Sequence, residues 1–503
     1  MIVGPAYYSS CTDSIGIALM AQLSFSEVEI QKLFGHEAAE DEDPNRLREY
    51  YFKTSTFEQV ITDLPLRILV GHKGIGKSAL FQVAMSEDRD LNRISILIKP
   101  DDVIGLGTDT SDFLKTIRNW NDGLLAIIAE KVLSSLGMGK EDWTSKLKQF
   151  GGVLLDFLRQ TLQGGESVSL SPAKKLLIEQ FLRNAAVSVY IDDLDRGWLG
   201  RPEDVLRISA LLNAVRDIVK DNRGIRFRIS LRSDVYYLVR TSDESTDKIE
   251  GSVIWQSWTN HEIFVLLLKR IETFFGRQID EKRLLQSSQR DVAYYLDPIM
   301  ESHFRGQGHW ANAPMYRVLM SLIRKRPRDL VKLCTLAARD ARSKDLHMIH
   351  TGNLQNVFEE YSQGRVQDTI NEFRSELPEI DRLILNMKPN KRERTTKAGY
   401  VYTTDSLLKK LENIIQSGTF RLTNGRVAGR KELAAFLYKI NFLTARKETP
   451  AGIVRKYFEE NRYLSSDFAD FGFDWEIHPA YRWALQPDDI SGVYKSLQLT
   501  AES

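Results

Sequence analysis

The segment 71–78, GHKGIGKS, is the feature that most tightly constrains how this chain folds. It follows an apolar stretch, Leu66 to Val70, typical of a buried strand, and it continues into a helix-like segment, Ala79 to Ala84. Glycines at 71, 74 and 76 allow a tight turn whose backbone N–H groups, together with the start of the helix, face a bound anion. The segment therefore predicts a phosphate-binding loop between a strand and a helix.

Two side chains of this loop are expected to contact a nucleotide directly. Lys77 would reach the β- and γ-phosphates, and the Ser78 hydroxyl would bind Mg²⁺. ATP and Mg²⁺ are accordingly the expected cofactors. The loop residues expected to bind the nucleotide are Gly71, His72, Lys73, Gly74, Ile75, Gly76, Lys77, Ser78 and Ala79.

A second motif places carboxylates after another apolar strand. The stretch 187–191 is followed by Asp192, Asp193, Leu194, Asp195 and Arg196. An acidic turn is by itself more often a solvated turn, but beside a phosphate-binding loop it can hold Mg²⁺ and polarise the attacking water of phosphoryl transfer. We expect Asp192 to bind the metal and either Asp193 or Asp195 to orient the water.

The order of the segments predicts an α/β fold with a largely parallel sheet of about five strands. These strands are expected at 66–70, 93–99, 187–191, 225–231 and 252–255. Parallel sheets bind ligands at the carboxyl ends of their strands, where Lys77, Asp192 and Arg232 would meet. Arg232 is a candidate sensor of the terminal phosphate, and a surface arginine that ends a strand is the alternative.

Five regions are predicted along the chain. They are an N-terminal extension with a helix (1–55), a nucleotide-binding core (56–258) with a helical insertion at about 110–185, a helical lid (259–345), a helical linker (346–397) and a basic, winged-helix-like domain (398–503). In the lid, Pro327 is typical of a first helical turn, and Arg328 beside it could reach the nucleotide. Near the C-terminus, Trp475, His478 and Tyr481 are interpreted as core residues.

Charge is unevenly distributed. The whole chain carries a formal charge of +1, whereas residues 388–456 contain sixteen lysines and arginines against five acidic residues. This basic segment favours contact with DNA or RNA phosphates, although a solvated face is the simpler explanation of a charge run. The basic residues next to predicted helices are Lys391, Arg392, Arg394, Arg421, Arg426, Arg430 and Lys431.

The sequence also predicts a compartment. Its two cysteines, Cys11 and Cys334, lie far apart without metal-binding spacing, which argues against a disulfide framework. No apolar run is long enough to span a bilayer, and the first 25 residues do not read as a secretory signal. We therefore expect a cytoplasmic protein without membrane contact, and Met20 is an alternative start to Met1.

Four motifs together resemble a prokaryotic P-loop ATPase family. They are GHKGIGKS, YIDDLDR, RPRDL and IHPAYR, and the resemblance runs from about Phe34 to Leu485. This family is related to the KAP and STAND nucleotidases of the AAA+-like, additional-strand class. The resemblance implies an ATP-binding core, a helical lid and a C-terminal winged-helix-like module, with a role in bacterial defence or signalling. The membrane insertion of KAP proteins is not seen in this sequence.

These features predict an Mg²⁺-dependent ATPase whose turnover drives a conformational change or assembly. The alternative is a nucleotide switch with little intrinsic turnover that regulates its C-terminal domain. Homo-oligomers are also expected, because related sites are often completed by an arginine from a neighbouring subunit; Arg196, Arg232 and Arg240 are the candidates. A downstream effector would be a separate protein.

Overall fold

The computed structural model describes residues 23–91, 93–135, 187–242, 244–390, 393, 399–450, 452–461, 472–486 and 490–501. Most of the predicted insertion lies outside these residues, as do Cys11 and the two candidate start positions.

A five-stranded parallel sheet forms the core. Its strands are β1 (Leu66–Val70), β2 (Ile94–Ile98), β3 (Val187–Ile191), β4 (Ile225–Leu231) and β5 (Val253–Trp255), in the order β2-β3-β4-β1-β5. The central strands β1, β3 and β4 are buried on nearly every residue of both faces. Strands β1 and β3 are mostly apolar in sequence, as expected for a covered parallel sheet, whereas β4 alternates and also buries Arg226, Arg228 and Ser230. The predicted α/β fold is confirmed. Strand β4 lies between β1 and β3, so the carboxyl ends of these three strands are adjacent.

Helices cover both faces of this sheet and precede it. Around the sheet they span Lys77–Asp90, Phe113–Ser135, Pro202–Asp221 and Ser233–Ser242, and before it they span Glu27–Phe34, Pro44–Tyr50 and Ser55–Ile61. The helix Phe113–Ser135 packs against Pro202–Asp221 and forms the described part of the predicted insertion. The first helix, Glu27–Phe34, begins with a capping box between Ser26 and Glu29 and packs on the lid.

The region predicted as a lid (259–345), hereafter called the lid, contains helices Asn260–Phe274, Glu281–Gln286, Gln289–Val292, Met315–Leu322 and Pro327–Ser343. The sequence predicted helix throughout this region, and that prediction is wrong. A two-stranded antiparallel hairpin, β6 (His303–Arg305) and β7 (Ala311–Pro314), separates its two halves. Gly306 and Gly308 lie in the turn of this hairpin, where helix would be disfavoured.

One long helix, Thr351–Phe373, connects the lid to the part of the chain that follows Phe373. We call this helix the bridging helix and the part that follows it the C-terminal half. The sequence predicted a helical linker over 346–397. Instead the chain turns after Phe373, and a separate helix spans Ile380–Asn386. Pro378 accounts for the break, because proline cannot donate a backbone hydrogen bond inside a helix.

The C-terminal half contains a four-stranded antiparallel sheet in the order β12-β11-β13-β8. Its strands are β8 (Val401–Tyr402), β11 (Leu443–Thr449), β12 (Gly452–Lys456) and β13 (Asp474–Ile477); β9 (Phe420–Arg421) and β10 (Val427–Ala428) form a separate hairpin. The helices of this half are Thr404–Gln416, Arg430–Lys439, Arg482–Leu485 and Ile490–Ser496.

Trp475, His478 and Tyr481 are all buried in this half of the molecule, as expected for core residues. The ring of His478 accepts a hydrogen bond from the Ala480 N–H at 3.1 Å, and its other nitrogen lies 2.9 Å from the Tyr457 hydroxyl. Both ring nitrogens are therefore used in structural contacts. Across the described part of the chain, no helix combines the length and the apolar character needed to cross a membrane.

Candidate nucleotide-binding site

The loop 71–78 has the geometry that its glycines predict. It leaves β1 and enters the helix Lys77–Asp90, with Gly74 at φ +77° and Gly76 at φ +100°. Residues other than glycine rarely adopt these left-handed φ values. A Cβ atom at Gly74 would also lie 3.1 to 3.2 Å from the Arg328 side chain of the lid, so the close approach of loop and lid requires glycine.

The Lys77 ammonium folds back over the loop. Its Nζ atom donates hydrogen bonds to the carbonyl oxygens of Gly71, at 2.8 Å, and His72, at 3.1 Å. Burial lowers the pKa of Lys77, and the nearby carboxylates of Asp195 and Asp192 oppose that change. The positive charge is thus held at the carboxyl edge of the sheet, beside the acidic turn.

Asp192 directly follows β3, and it is buried. Its Oδ1 atom accepts hydrogen bonds from the Ser230 hydroxyl and, at 3.1 Å, from the Asp193 N–H. Ser230 lies in β4, and it is not among the site residues predicted from the sequence. The available signal was a hydroxyl two residues before Arg232 in an otherwise apolar end of the strand.

Asp193 and Asp195 occupy different environments. Asp193 is exposed and adopts a left-handed φ of +60°, whereas Asp195 is 6% exposed. Burial raises the pKa of Asp195 to about 6; Lys77 and Arg232 counteract this effect, while Asp234 and Asp193 reinforce it. Within the described residues, its Oδ2 atom has no hydrogen-bond partner.

Arg232 follows β4 and is engaged by its own chain. It donates hydrogen bonds to Asp234, at 3.0 and 2.7 Å, and to the backbone oxygen of Glu372, at 2.6 Å. Its Nε atom lies 3.5 Å from Asp195 Oδ2. Burial lowers the pKa of Arg232, but Asp234, Glu372 and Asp195 outweigh that effect and raise it.

One cavity of about 540 Å³ brings most of the predicted residues together, whereas Gly71, His72 and Ile75 are absent from its lining. Lys77, Ser78, Asp192, Asp193, Asp195 and Arg232 all line it, as do Lys73, Gly74, Gly76 and Ala79. Arg328 lines it from the lid; its backbone N–H contacts the Gly74 oxygen at 3.4 Å, and its Nε atom donates to the Glu37 oxygen at 3.0 Å. The predicted meeting of loop, acidic turn and lid is therefore observed.

Part of the cavity wall was not predicted. It comes from the segment 36–40 before the core, from the aromatic side chains Tyr50, Tyr51 and Trp258, and from Leu266, Arg270 and Val331 of the lid. The Trp258 indole N–H donates to the Ile75 oxygen at 2.8 Å, so it fixes the loop directly. No short motif marks these residues, because they converge from distant segments only after folding.

Arg196 and Arg240, the other two arginines predicted to complete the site of a neighbouring subunit, lie in different places. Arg196 is exposed at the cavity, whereas Arg240 is absent from its lining and pairs with Glu250 at 2.7 Å. In the basic segment, Arg421, Arg426, Arg430 and Lys431 are exposed, and Arg430 pairs with Glu412 at 2.6 Å. Lys391, Arg392 and Arg394 lie outside the described residues.

These groups fit a magnesium nucleotide. The cavity offers a hydroxyl, Ser78, and a buried carboxylate, Asp192, as oxygen ligands, and the unpartnered Asp195 oxygen can accept a hydrogen bond from water. Nowhere in the described ranges do three histidine, cysteine, aspartate or glutamate side chains converge to hold a metal. A magnesium ion at this site would therefore take most of its ligands from phosphates and water, as Mg²⁺ commonly does.

Comparisons with known proteins do not show a family for this chain. No protein-family model matches the chain. A putative transposon gamma-delta 80.3 kDa protein of Escherichia coli K12 is 22% identical, over 92% of this chain and 69% of that protein.

Two solved structures resemble this chain with TM-scores below 0.5. A Walker-type ATPase of Pyrococcus abyssi has a TM-score of 0.41 at 14% identity, covering 86% of this chain and 93% of that one. The Aeropyrum pernix ORC2 protein, in ADPNP–ADP complexes, has a TM-score of 0.37 at 11% identity, and the match covers 86% of this chain and 88% of that one. The parallel sheet, its strand order and the loop at its carboxyl edge give this chain the core fold of a P-loop NTPase.

Proposed function

We propose that this protein binds and hydrolyses ATP with Mg²⁺, and that the nucleotide state sets the conformation of the lid and the C-terminal half. The single observation that carries the proposal is the shared cavity. The glycine-rich loop 71–78, the carboxylate of Asp192 and the guanidinium of Arg232 follow three adjacent strands and line the same cavity of about 540 Å³.

Each group has a role that follows from its position. Lys77 donates hydrogen bonds to the carbonyl oxygens of Gly71 and His72, and a triphosphate in the loop would compete for them. Ser78 and Asp192 would hold Mg²⁺, and the Ser230 hydrogen bond fixes the orientation of Asp192. When bound, Mg²⁺ neutralises charge that develops on the phosphate oxygens.

We assign Asp195 as the carboxylate that orients the attacking water, and Asp193 is the alternative. Asp195 is buried, has an oxygen without a hydrogen-bond partner in the described structure, and has a pKa of about 6. A carboxylate with these properties in a cleft is a good general base near neutral pH. Arg232, 3.5 Å away, would orient Asp195 and stabilise charge on the terminal phosphate.

Phosphate release by purified protein tests this function. Lys77→Ala removes the charge that stabilises the transferred phosphoryl group, so turnover should fall by at least about 100-fold. Lys115→Ala is the control, because Lys115 is an exposed lysine that does not line the cavity, and this variant should retain the activity. Equal and slow phosphate release by wild type and Lys77→Ala, with tight ATP binding by wild type, would instead favour a nucleotide switch with little intrinsic turnover.

A second candidate function is nucleic-acid binding by the C-terminal half. Its supporting observation is the exposure of Arg421, Arg426 and Lys431 on and beside the β9–β10 hairpin. If these cations contact phosphates, affinity for duplex DNA should fall steeply between 50 and about 200 mM salt. Affinity without salt dependence, or no binding at low salt, would exclude this function.

Oligomerisation, a separate effector protein and a role in defence or signalling belong to the same proposal. Among the arginines that could complete the site of a neighbouring subunit, Arg196 is the best placed, because it is exposed and lines the cavity. Measuring mass in solution with and without ATP would test assembly.

A further inference from the structure

The second residue of the phosphate-binding loop, His72, is held by the C-terminal half of the molecule. Its ring is 3% exposed. Nδ1 lies 3.1 Å from the Ser233 hydroxyl, immediately after Arg232, and Nε2 contacts the carboxylate of Glu459 and the side-chain amide of Asn441, the latter at 3.3 Å. One side chain thus joins the loop, the end of β4 and the C-terminal half.

The contact on the C-terminal side is itself held in place. Asn441 adopts a left-handed φ of +57° between the helix Arg430–Lys439 and β11. Its side-chain nitrogen lies 3.2 and 3.3 Å from the two Glu459 oxygens, and its side-chain oxygen accepts the Phe458 N–H at 3.2 Å. Asn441 therefore aims Glu459 at the loop histidine.

Aromatic contacts surround this polar centre. Phe458 packs edge-on against Tyr237 of the core at 5.5 Å, and Phe436 packs against Phe373 of the bridging helix at 6.4 Å. Beyond its first turn, the helix Arg430–Lys439 is buried or partly buried in this docked arrangement. Phe436 and Lys439 of this helix contact Phe373 and Glu376, so opening the interface would expose that side of the helix.

A second carboxylate, Glu372 of the bridging helix, reinforces the same connection. It accepts the Lys73 N–H of the loop at 3.1 Å and an Arg326 hydrogen bond from the lid at 2.9 Å, while its backbone oxygen accepts from Arg232. Burial raises the pKa of Glu372, but Arg326 and His72 outweigh burial and lower it well below its usual range. Glu372 is therefore a buried, ionised link between loop, lid and β4.

We propose that His72, Asn441 and Glu459 form a latch through which docking of the C-terminal half regulates the nucleotide site. This inference rests on the proposed function. The loop and the end of β4 are the elements that would contact the phosphates, so a change there reaches Glu459 through one side chain. Coupling of this kind is reciprocal: nucleotide changes docking, and docking changes nucleotide affinity by the same factor.

Two measurements on the full-length protein test the latch. Hydrogen exchange of the backbone amides of Arg430–Lys439 reports docking, and stopped-flow dissociation of a fluorescent ATP analogue with Mg²⁺ reports the nucleotide site. Glu459→Ala should raise exchange of that helix at least about tenfold and change the dissociation rate at least about threefold, within the usual range of coupling between sites. Glu459→Gln, which keeps the shape and one acceptor, should lie between Glu459→Ala and wild type.

Glu379→Ala is the matched control, because the exposed Glu379 makes an ion pair with Arg382 in the same half of the molecule and does not pair with the helix Arg430–Lys439; both measurements should match wild type. Faster exchange without a change in dissociation, or two unchanged measurements in both Glu459 variants, would overturn the latch. Failure of wild type to bind the analogue would refute the proposed function itself, and with it a regulatory role for the latch; unchanged dissociation with tight binding refutes the latch alone.

Discussion

Replacing Asp195 with asparagine is expected to stabilise the nucleotide-free protein at neutral pH while it impairs catalysis. The buried carboxyl has a pKa of about 6, against its ordinary value of 3.8. At about 1.4 kcal/mol per pKa unit, ionised Asp195 destabilises the folded state by about 3 kcal/mol at pH 7.5. Asparagine has a similar shape and carries no charge, so it avoids this penalty.

The pH dependence fixes the sign of the effect. Because the pKa is raised in the folded protein, protonation contributes stability that is complete below pH 3.8 and is lost as the pH rises through about 6. The gain from Asp195→Asn should therefore shrink from about 3 kcal/mol at pH 7.5 to about 0.5 kcal/mol at pH 4.

Urea unfolding at the two pH values measures this difference directly. Asp234→Asn is the control, since Asp234 accepts two hydrogen bonds from Arg232 and its replacement should destabilise the protein at neutral pH. The reasoning would be refuted if Asp195→Asn destabilised the protein at pH 7.5, or if its effect were the same at both pH values. In the same variant, phosphate release should fall by about 100-fold or more, as expected for loss of a general base.

Three further predictions concern single side chains. Ser230→Ala removes the hydroxyl that binds Asp192, so phosphate release should fall by about tenfold, which corresponds to one hydrogen bond of about 1.4 kcal/mol; an unchanged rate would contradict this role. Binding of ATP and Mg²⁺ should change the tryptophan fluorescence, since Trp258 and Trp198 both line the cavity, and Trp258→Phe should reduce the change; an undiminished change would contradict a contribution from Trp258. Arg324→Met leaves Asp329 buried without its bidentate partner, so urea unfolding should show a loss of about 3 kcal/mol, whereas a loss below about 1 kcal/mol would mean that Arg365 alone suffices.

The sequence predicts the core well because its signals are local. Strands β1 and β3 are mostly apolar, β4 alternates, and each leads into a segment that lines the cavity; the loop glycines specify their own backbone conformation. The bounds of β3 and β4 agree with the prediction residue for residue. The common location of Lys77, Asp192 and Arg232 then follows from the geometry of a parallel sheet.

What the sequence does not reveal depends on distant contacts. Ser230 is recognisable only once β4 is known to lie beside β3, and His72 occupies a position in the loop motif where many residues fit. Glu372 and Glu459 reach the loop across about 300 and 390 residues of chain, so no spacing rule points to them. The hairpin β6–β7 was missed because each of its strands is too short for periodicity to distinguish from helix.

A structure of the protein with Mg²⁺ and a non-hydrolysable ATP analogue tests the central claim most directly. We expect the terminal phosphates to replace the Gly71 and His72 oxygens as hydrogen-bond partners of Lys77, at about 3 Å, with the metal bound to Ser78 beside Asp192. A triphosphate bound outside this cavity, or a Lys77 side chain that remained on the loop carbonyls, would contradict the proposed site.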